Sequence, residues 1–138
     1  MKKCSITWVT IDNLINTIAR EIISASPNIY SIYGIPRGGL IPAVLLSHKL
    51  GIPVTQELKS YNLVVDDISD SGKTLKKLVD KCNNPLYNYK EVYTATLFER
   101  QDTVFEPDFI GEHIKYNDWP VFPWEYQIHA AENAETIV

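Results

Sequence analysis

Twice in this chain a short β-favouring run breaks at a glycine turn and passes directly into a helical pattern. Ile29 to Ile35 stops at Pro36-Arg37-Gly38-Gly39, and Leu40 to Leu50 then reads as a helix closed by Gly51. Asn62 to Val65 runs into acids and a second glycine turn, followed by a helix over Thr74 to Cys82 with apolar positions Leu75, Leu78 and Val79. Strands alternating with helices predict an α/β fold with a parallel sheet. The flanking segments extend the pattern. Ile11, Leu14, Ile15, Ile18, Ala19, Ile22 and Ile23 recur at steps of three and four, which predicts an amphipathic helix capped by Thr10 and ended before Pro27. Further strands are predicted at Ile52 to Leu58, Glu91 to Phe98 and Asp108 to Ile114, with Lys81 to Tyr89 as a polar connection. Ala130 to Ala134 reads equally as a short helix, an ordered tail or an interface element.

Size and charge narrow the class. A chain of 138 residues, 45% hydrophobic and 22% charged, is predicted to be one domain over residues 1–138. Its net charge of -4 withholds the overall basic field of a nucleic-acid binder, so no nucleic-acid partner is expected. Lys2 and Lys3 are followed by Ser5, Thr7 and Thr10 instead of an apolar run, which argues against a secretion signal. Leu40 to Leu50 is interrupted by Pro42, Ser47, His48 and Lys49, so no membrane span is expected. Cys4 and Cys82 lie far apart outside any CxxC spacing, which predicts reduced thiols in a cytoplasmic protein without a zinc site.

The chemistry concentrates in Leu63-Val64-Val65-Asp66-Asp67-Ile68-Ser69-Asp70-Ser71-Gly72-Lys73-Thr74. Ser71, Gly72, Lys73 and Thr74 can offer backbone amides, hydroxyls and a positive helix end to a phosphate. Asp66 and Asp67 stand at the carboxyl end of a strand, where open α/β sheets bind ligands, and suit sugar hydroxyls or hydrated magnesium. Phosphate and sugar hydroxyls together suggest a ribose 5-phosphate. The Gly72-Lys73-Thr74 end is shared with P-loops, but a P-loop needs its first glycine where Asp67 stands, and an acid there repels phosphates.

The string from Val64 to Thr74 resembles the phosphoribosyl pyrophosphate (PRPP) signature of type I phosphoribosyltransferases. Within that family it is most similar to the xanthine-guanine phosphoribosyltransferases. Ile35-Pro36-Arg37-Gly38-Gly39-Leu40 resembles the family's pyrophosphate loop, Leu97-Phe98-Glu99-Arg100 its strand ending in a base-recognising cation, and Trp119 to Glu125 its base-stacking segment. The resemblance spans about Ile6 to Glu125. It implies a Rossmann-like parallel β-sheet flanked by helices, with a small C-terminal hood, and a homodimer or higher homo-oligomer.

The resemblance also implies roles. Arg37 and Gly38 would bind pyrophosphate, with a cis peptide expected at Pro36-Arg37. Asp66 and Asp67 would hold the ribose hydroxyls and share a magnesium ion. Asp70 would handle the purine N7 proton, Ser71, Gly72, Lys73 and Thr74 would cradle the 5-phosphate, and the Lys73 side chain would point to solvent. Arg100, Trp119 and the backbone around Pro120 would receive the base. The implied reaction transfers the ribose 5-phosphate of PRPP to a 6-oxopurine (guanine, xanthine or hypoxanthine) with release of pyrophosphate, as in purine salvage. Two departures stand out. The family's long lid between the strand at Ile52 to Leu58 and the one near Asn62 is reduced to Lys59, Ser60 and Tyr61, and Val121 replaces an acid found near the metal. A non-catalytic PRPP- or nucleotide-binding regulator of the same fold therefore stays open beside the enzyme.

Overall fold

The computed structural model describes residues 2–115 and 117–126. Ala130 to Ala134 lies outside them. Among these residues, seven strands and three helices follow in the order β1 (Lys2–Ser5), α1 (Trp8–Ala25), β2 (Ser31–Gly34), α2 (Leu40–Leu50), β3 (Val54–Thr55), β4 (Asn62–Ser69), α3 (Lys73–Cys82), β5 (Tyr93–Arg100), β6 (Phe109–Ile114) and β7 (Asp118–Val121), with a 3-10 turn at Pro123–Glu125. The central sheet runs β3-β2-β4-β5-β6, and every pair in it is parallel. This is the α/β architecture expected from the strand–turn–helix alternation.

Helix α1 buries the face that its periodicity marks, Ile11, Leu14, Ile15, Ile18, Ala19 and Ile22, against β5 and β6. Its cap is Thr7, not Thr10: the Thr7 hydroxyl accepts from the Thr10 amide at 3.2 Å, so the helix starts one turn earlier than its apolar stripe. It closes on Ser26 in the left-handed region, just before Pro27 denies it an amide donor. Helix α2 lies over β2 and β4 and ends at Gly51, whose φ of +68° fits the glycine terminator read from the sequence. Close approach of α1 to β6 requires Gly111, where a Cβ would meet the Leu97 carbonyl at 2.5 Å and Leu14 Cδ2 at 2.9 Å.

Two strands differ from expectation. The run Ile52 to Leu58 pairs only at Val54 and Thr55, because the Thr55 hydroxyl accepts from the Glu57 amide and turns the chain away. Strand β4 continues four residues beyond Val65 to Ser69, so Asp66 and Asp67 lie within it and not after it. The last residues of the connection 56–61 are held at the opposite end of the sheet from those acids. The Tyr61 carbonyl accepts from the Tyr30 amide at 2.9 Å, and Ser60 accepts from the Lys90 amide at 2.8 Å. Buried Asn62 completes the anchor, accepting from the Lys59 amide and donating to the Ser31 hydroxyl.

The expected C-terminal hood is a two-stranded parallel ribbon, β7 paired with the N-terminal strand β1 in the register Cys4↔Pro120. The sequence reading assigned no strand to Lys2–Ser5. Phe122 behind this ribbon is fully buried and stacks on Trp124, which in turn meets Trp8 of α1. Both cysteines are free thiols, and no helix among the described residues is long and apolar enough to cross a membrane.

The α1–β6 contact yields a stability prediction. Gly111→Ala forces the added methyl into a backbone carbonyl, which cannot move as a side chain end can. The expected loss is about 2 kcal/mol, read as a lower thermal midpoint; an unchanged midpoint contradicts the described packing.

Candidate active site

Chain order reverses beside β2: the chain steps outward to β3 and returns on the other side as β4. The crevice at the carboxyl ends of β2 and β4 is therefore the switch point where such sheets bind ligands. Each of the two glycine turns leaves one of these strands. The first lies directly on β4. The Ile35 amide donates to the Val65 carbonyl at 2.8 Å, and a Cβ at Gly39 would overlap that same carbonyl. A Cβ at Gly38 would overlap the Asp67 carboxylate, so any larger residue there would displace the acid. The Pro36-Arg37 peptide is cis, as the resemblance led us to expect.

The second turn opens at Gly72, with φ of +83°, and leads into α3 at Lys73. The Ser71 hydroxyl accepts from the Lys73 amide at 3.3 Å. A brace that sequence reading missed, the loop after β5, supports the turn from behind. The Val104 amide donates to the Ser71 carbonyl at 2.8 Å, and Thr103 Oγ1 lies 2.9 Å from Ser69 Oγ. Nothing in the Thr103-Val104 pair signals this role, because it depends on a contact across more than thirty residues.

Two cavities flank the acids. A cleft of about 820 Å³ is lined by Arg37, Gly38, Asp67, Trp124 and Glu125. A cavity of about 50 Å³ is lined by Asp66, Asp70, Ser71, Gly72 and Thr74. Adjacent residues of one strand thus open onto different compartments. Lys73 begins α3 with its side chain exposed and lines neither of these cavities.

Burial and the neighbouring Asp67 carboxylate push Asp66 from 3.8 up to about 8. Glu125 is raised as well, first by burial and then by the charge of Asp67. Glu125 was not singled out as a site residue in the sequence, although it lies four residues after Val121, where an acid was missing. Carboxylates gathered beside an open cleft are chemically suited to a cation. No three of the described His, Cys, Asp and Glu side chains converge to hold a metal by themselves. That donor set fits magnesium, which commonly takes one or two carboxylates and completes its shell with water and substrate phosphates.

Arg100, at the end of β5, is only 7% exposed. Its Nε pairs with Asp70 Oδ1 at 2.5 Å, and Nη2 donates to the Asp118 carbonyl at 2.8 Å. The guanidinium also lies over the Trp119 ring, 5.4 Å from its centroid. Arg100, Trp119 and Asp70 therefore come together as one group. Pro120 is buried and lines a cavity of about 180 Å³ with Phe98, Lys115 and Asp118.

Residues 59–131 match the phosphoribosyl transferase domain family. The chain is 29% identical over 128 residues to the xanthine-guanine phosphoribosyltransferase of Cereibacter sphaeroides, covering 74% of this chain and 72% of that one. The enzyme of the same name from Idiomarina loihiensis is 26% identical over 153 residues, covering 92% and 89% of the two chains. An alignment of 153 positions exceeds the 138 residues of this chain, so this chain lacks residues that the Idiomarina enzyme carries. The crystal structure of a purine phosphoribosyltransferase from Pyrococcus horikoshii Ot3 superposes with a TM-score of 0.77 at 33% identity, over 92% of this chain and 97% of that chain.

The acid pair makes the ligand-free protein pH-sensitive. Because the folded pKa of Asp66 is raised, its contribution to stability is complete below 3.8 and is lost as pH rises through about 8. Asp66→Asn removes that loss. Thermal unfolding of the metal-free protein should show the variant gaining on wild type from pH 5 to about pH 8 and levelling off above that; a constant difference between pH 5 and pH 8 contradicts the assigned environment.

Proposed function

Since the chain belongs to the phosphoribosyl transferase domain family and is an enzyme of that type, we propose that it transfers the ribose 5-phosphate of PRPP to a 6-oxopurine with release of pyrophosphate. The observation that carries this reading is the division of labour between Asp66 and Asp67. Asp66 opens onto the small cavity over the Ser71–Thr74 turn, and Asp67 onto the cleft with Arg37 and Gly38. A ribose bridging those two compartments has its 5-phosphate at one end, its diphosphate at the other, and its hydroxyls beside the acids.

Each residue then has a physical task. The Ser71, Gly72, Lys73 and Thr74 backbone and hydroxyls receive the 5-phosphate at the positive start of α3. Arg37 offers a forked donor to the diphosphate, and the glycines bring the backbone close to it. Asp66 and Asp67 orient the ribose hydroxyls and hold magnesium, with Glu125 across the cleft as a further acceptor. When bound, magnesium supplies positive charge to the leaving diphosphate. Trp119 offers an aromatic face to the base, Arg100 a donor to its 6-oxygen, and Asp70 an acceptor for the N7 proton. No side-chain nucleophile is needed, so positioning and charge supply the rate.

The connection 56–61 is short and its end is tied to Tyr30 and Lys90 at the far end of the sheet, so it supplies no long lid over this cleft. Water therefore has freer access than in a site with a lid, which lowers preorganisation and turnover.

Mixing the protein with PRPP, magnesium and each of guanine, xanthine, hypoxanthine, adenine, uracil and orotate tests the reading. Pyrophosphate release is expected with one or more of the first three. Saturable PRPP binding with no turnover on any base overturns the enzyme, and turnover on a pyrimidine alone overturns the substrate class. Asp67→Asn should lower kcat/KM about hundredfold, a loss comparable to removing one charge-stabilising group. Lys73→Ala should change it by less than about threefold, because that residue contributes backbone only.

A further inference from the structure

The small cavity assigned to the 5-phosphate has an acid in its wall. Asp70 lines it together with Asp66, Ser71, Gly72 and Thr74, and the Asp70 side chain is 48% exposed. A free carboxylate there would repel a phosphate dianion. Asp70 is not free: Arg100 reaches from the end of β5 to pair with its Oδ1.

We infer that Arg100 is the internal counter-charge of the phosphate cavity and a positioning residue, neutralising Asp70 while tying that wall to the turn before Trp119. The inference rests on the phosphoribosyl reading for the identity of the ligand. Arg100 suits the task because its donors diverge. Nε serves Asp70, Nη2 serves the Asp118 carbonyl, Nη1 approaches the Lys115 carbonyl at 3.5 Å, and the guanidinium plane rests on Trp119. A guanidinium can make these contacts together, whereas the single nitrogen of a lysine cannot reach in all these directions. Burial of the Arg100 side chain at 8% exposure strengthens the pair by excluding water from one side. The phosphate wall and the base segment consequently share one cation. A residue that only read the base would have no influence on binding at the phosphate end in the absence of a base.

Titrations without any base separate these roles, using PRPP with magnesium and, separately, ribose 5-phosphate without metal. Arg100→Met should weaken both ligands about tenfold, because it exposes the Asp70 charge to the phosphate. The double variant Arg100→Met with Asp70→Asn should return to within about threefold of wild type, a coupling that simple loss of packing does not produce. Arg100→Lys should keep ribose 5-phosphate affinity within about threefold, since the charge remains, while raising the KM for the base. Unchanged ribose 5-phosphate affinity in Arg100→Met overturns the inference, as does a double variant no better than Arg100→Met alone. If Arg100→Met fails to fold, the Arg100→Lys titration decides: a tenfold loss of ribose 5-phosphate affinity there overturns it equally. Wild-type protein that binds neither ligand overturns the proposed function together with this inference.

Discussion

The contact between the first glycine turn and the central strand organises everything else at the carboxyl edge of the sheet. Ile35 donates to the Val65 carbonyl, Gly39 presses on that carbonyl, and Gly38 lies against the Asp67 carboxylate. No side chain fits between Gly39 and the Val65 carbonyl. The approach brings Arg37 beside Asp67 in the wall of the large cleft, and leaves Asp66 to face the other way, into the small cavity. Without it, the two turns would leave neighbouring strands but would not share a site.

Charge is the second organising quantity. The edge gathers Asp66, Asp67, Asp70 and Glu125 against Arg37 and Arg100 in a chain whose net charge is -4. Asp70 is matched by Arg100 within the protein. Asp66 is held by hydrogen bonding to the Asp67 amide at 2.9 Å, yet burial and the Asp67 charge still push its carboxyl up to about 8. Such a pair is costly to ionise by itself, and a bound cation would offset that cost. A net acidic chain thus still places two guanidinium groups, Arg37 and Arg100, at this edge.

Openness follows from chain economy at the far end of the sheet. The return from β3 to β4 is brief and its end is pinned through Asn62, Tyr61 and Ser60, leaving little chain in that connection to cover the cleft. Over the aligned region this chain has fewer residues than the Idiomarina enzyme. Its hood, by contrast, is built from both ends of the described chain, β1 on β7, with Phe122 and Trp124 packed behind.

Sequence by itself determined the α/β class, the parallel sheet, and the two turns, because local signals carry them. The apolar stripe of α1, the terminator Gly51 and the strand-acid-glycine string from Val64 to Thr74 need no distant partner to be read. Features set by contacts between remote segments were not legible. Strand β1 depends on β7, the reach of β4 past Val65 depends on its pairing with β5, and the brace from Thr103 and Val104 depends on the turn at Ser71. Arg100 shows the division most clearly. Its place at a strand end was readable, but its pairing with Asp70 was not. Only tertiary structure decided that, since a long side chain chooses its partner by which groups lie within reach once the strand ends are assembled.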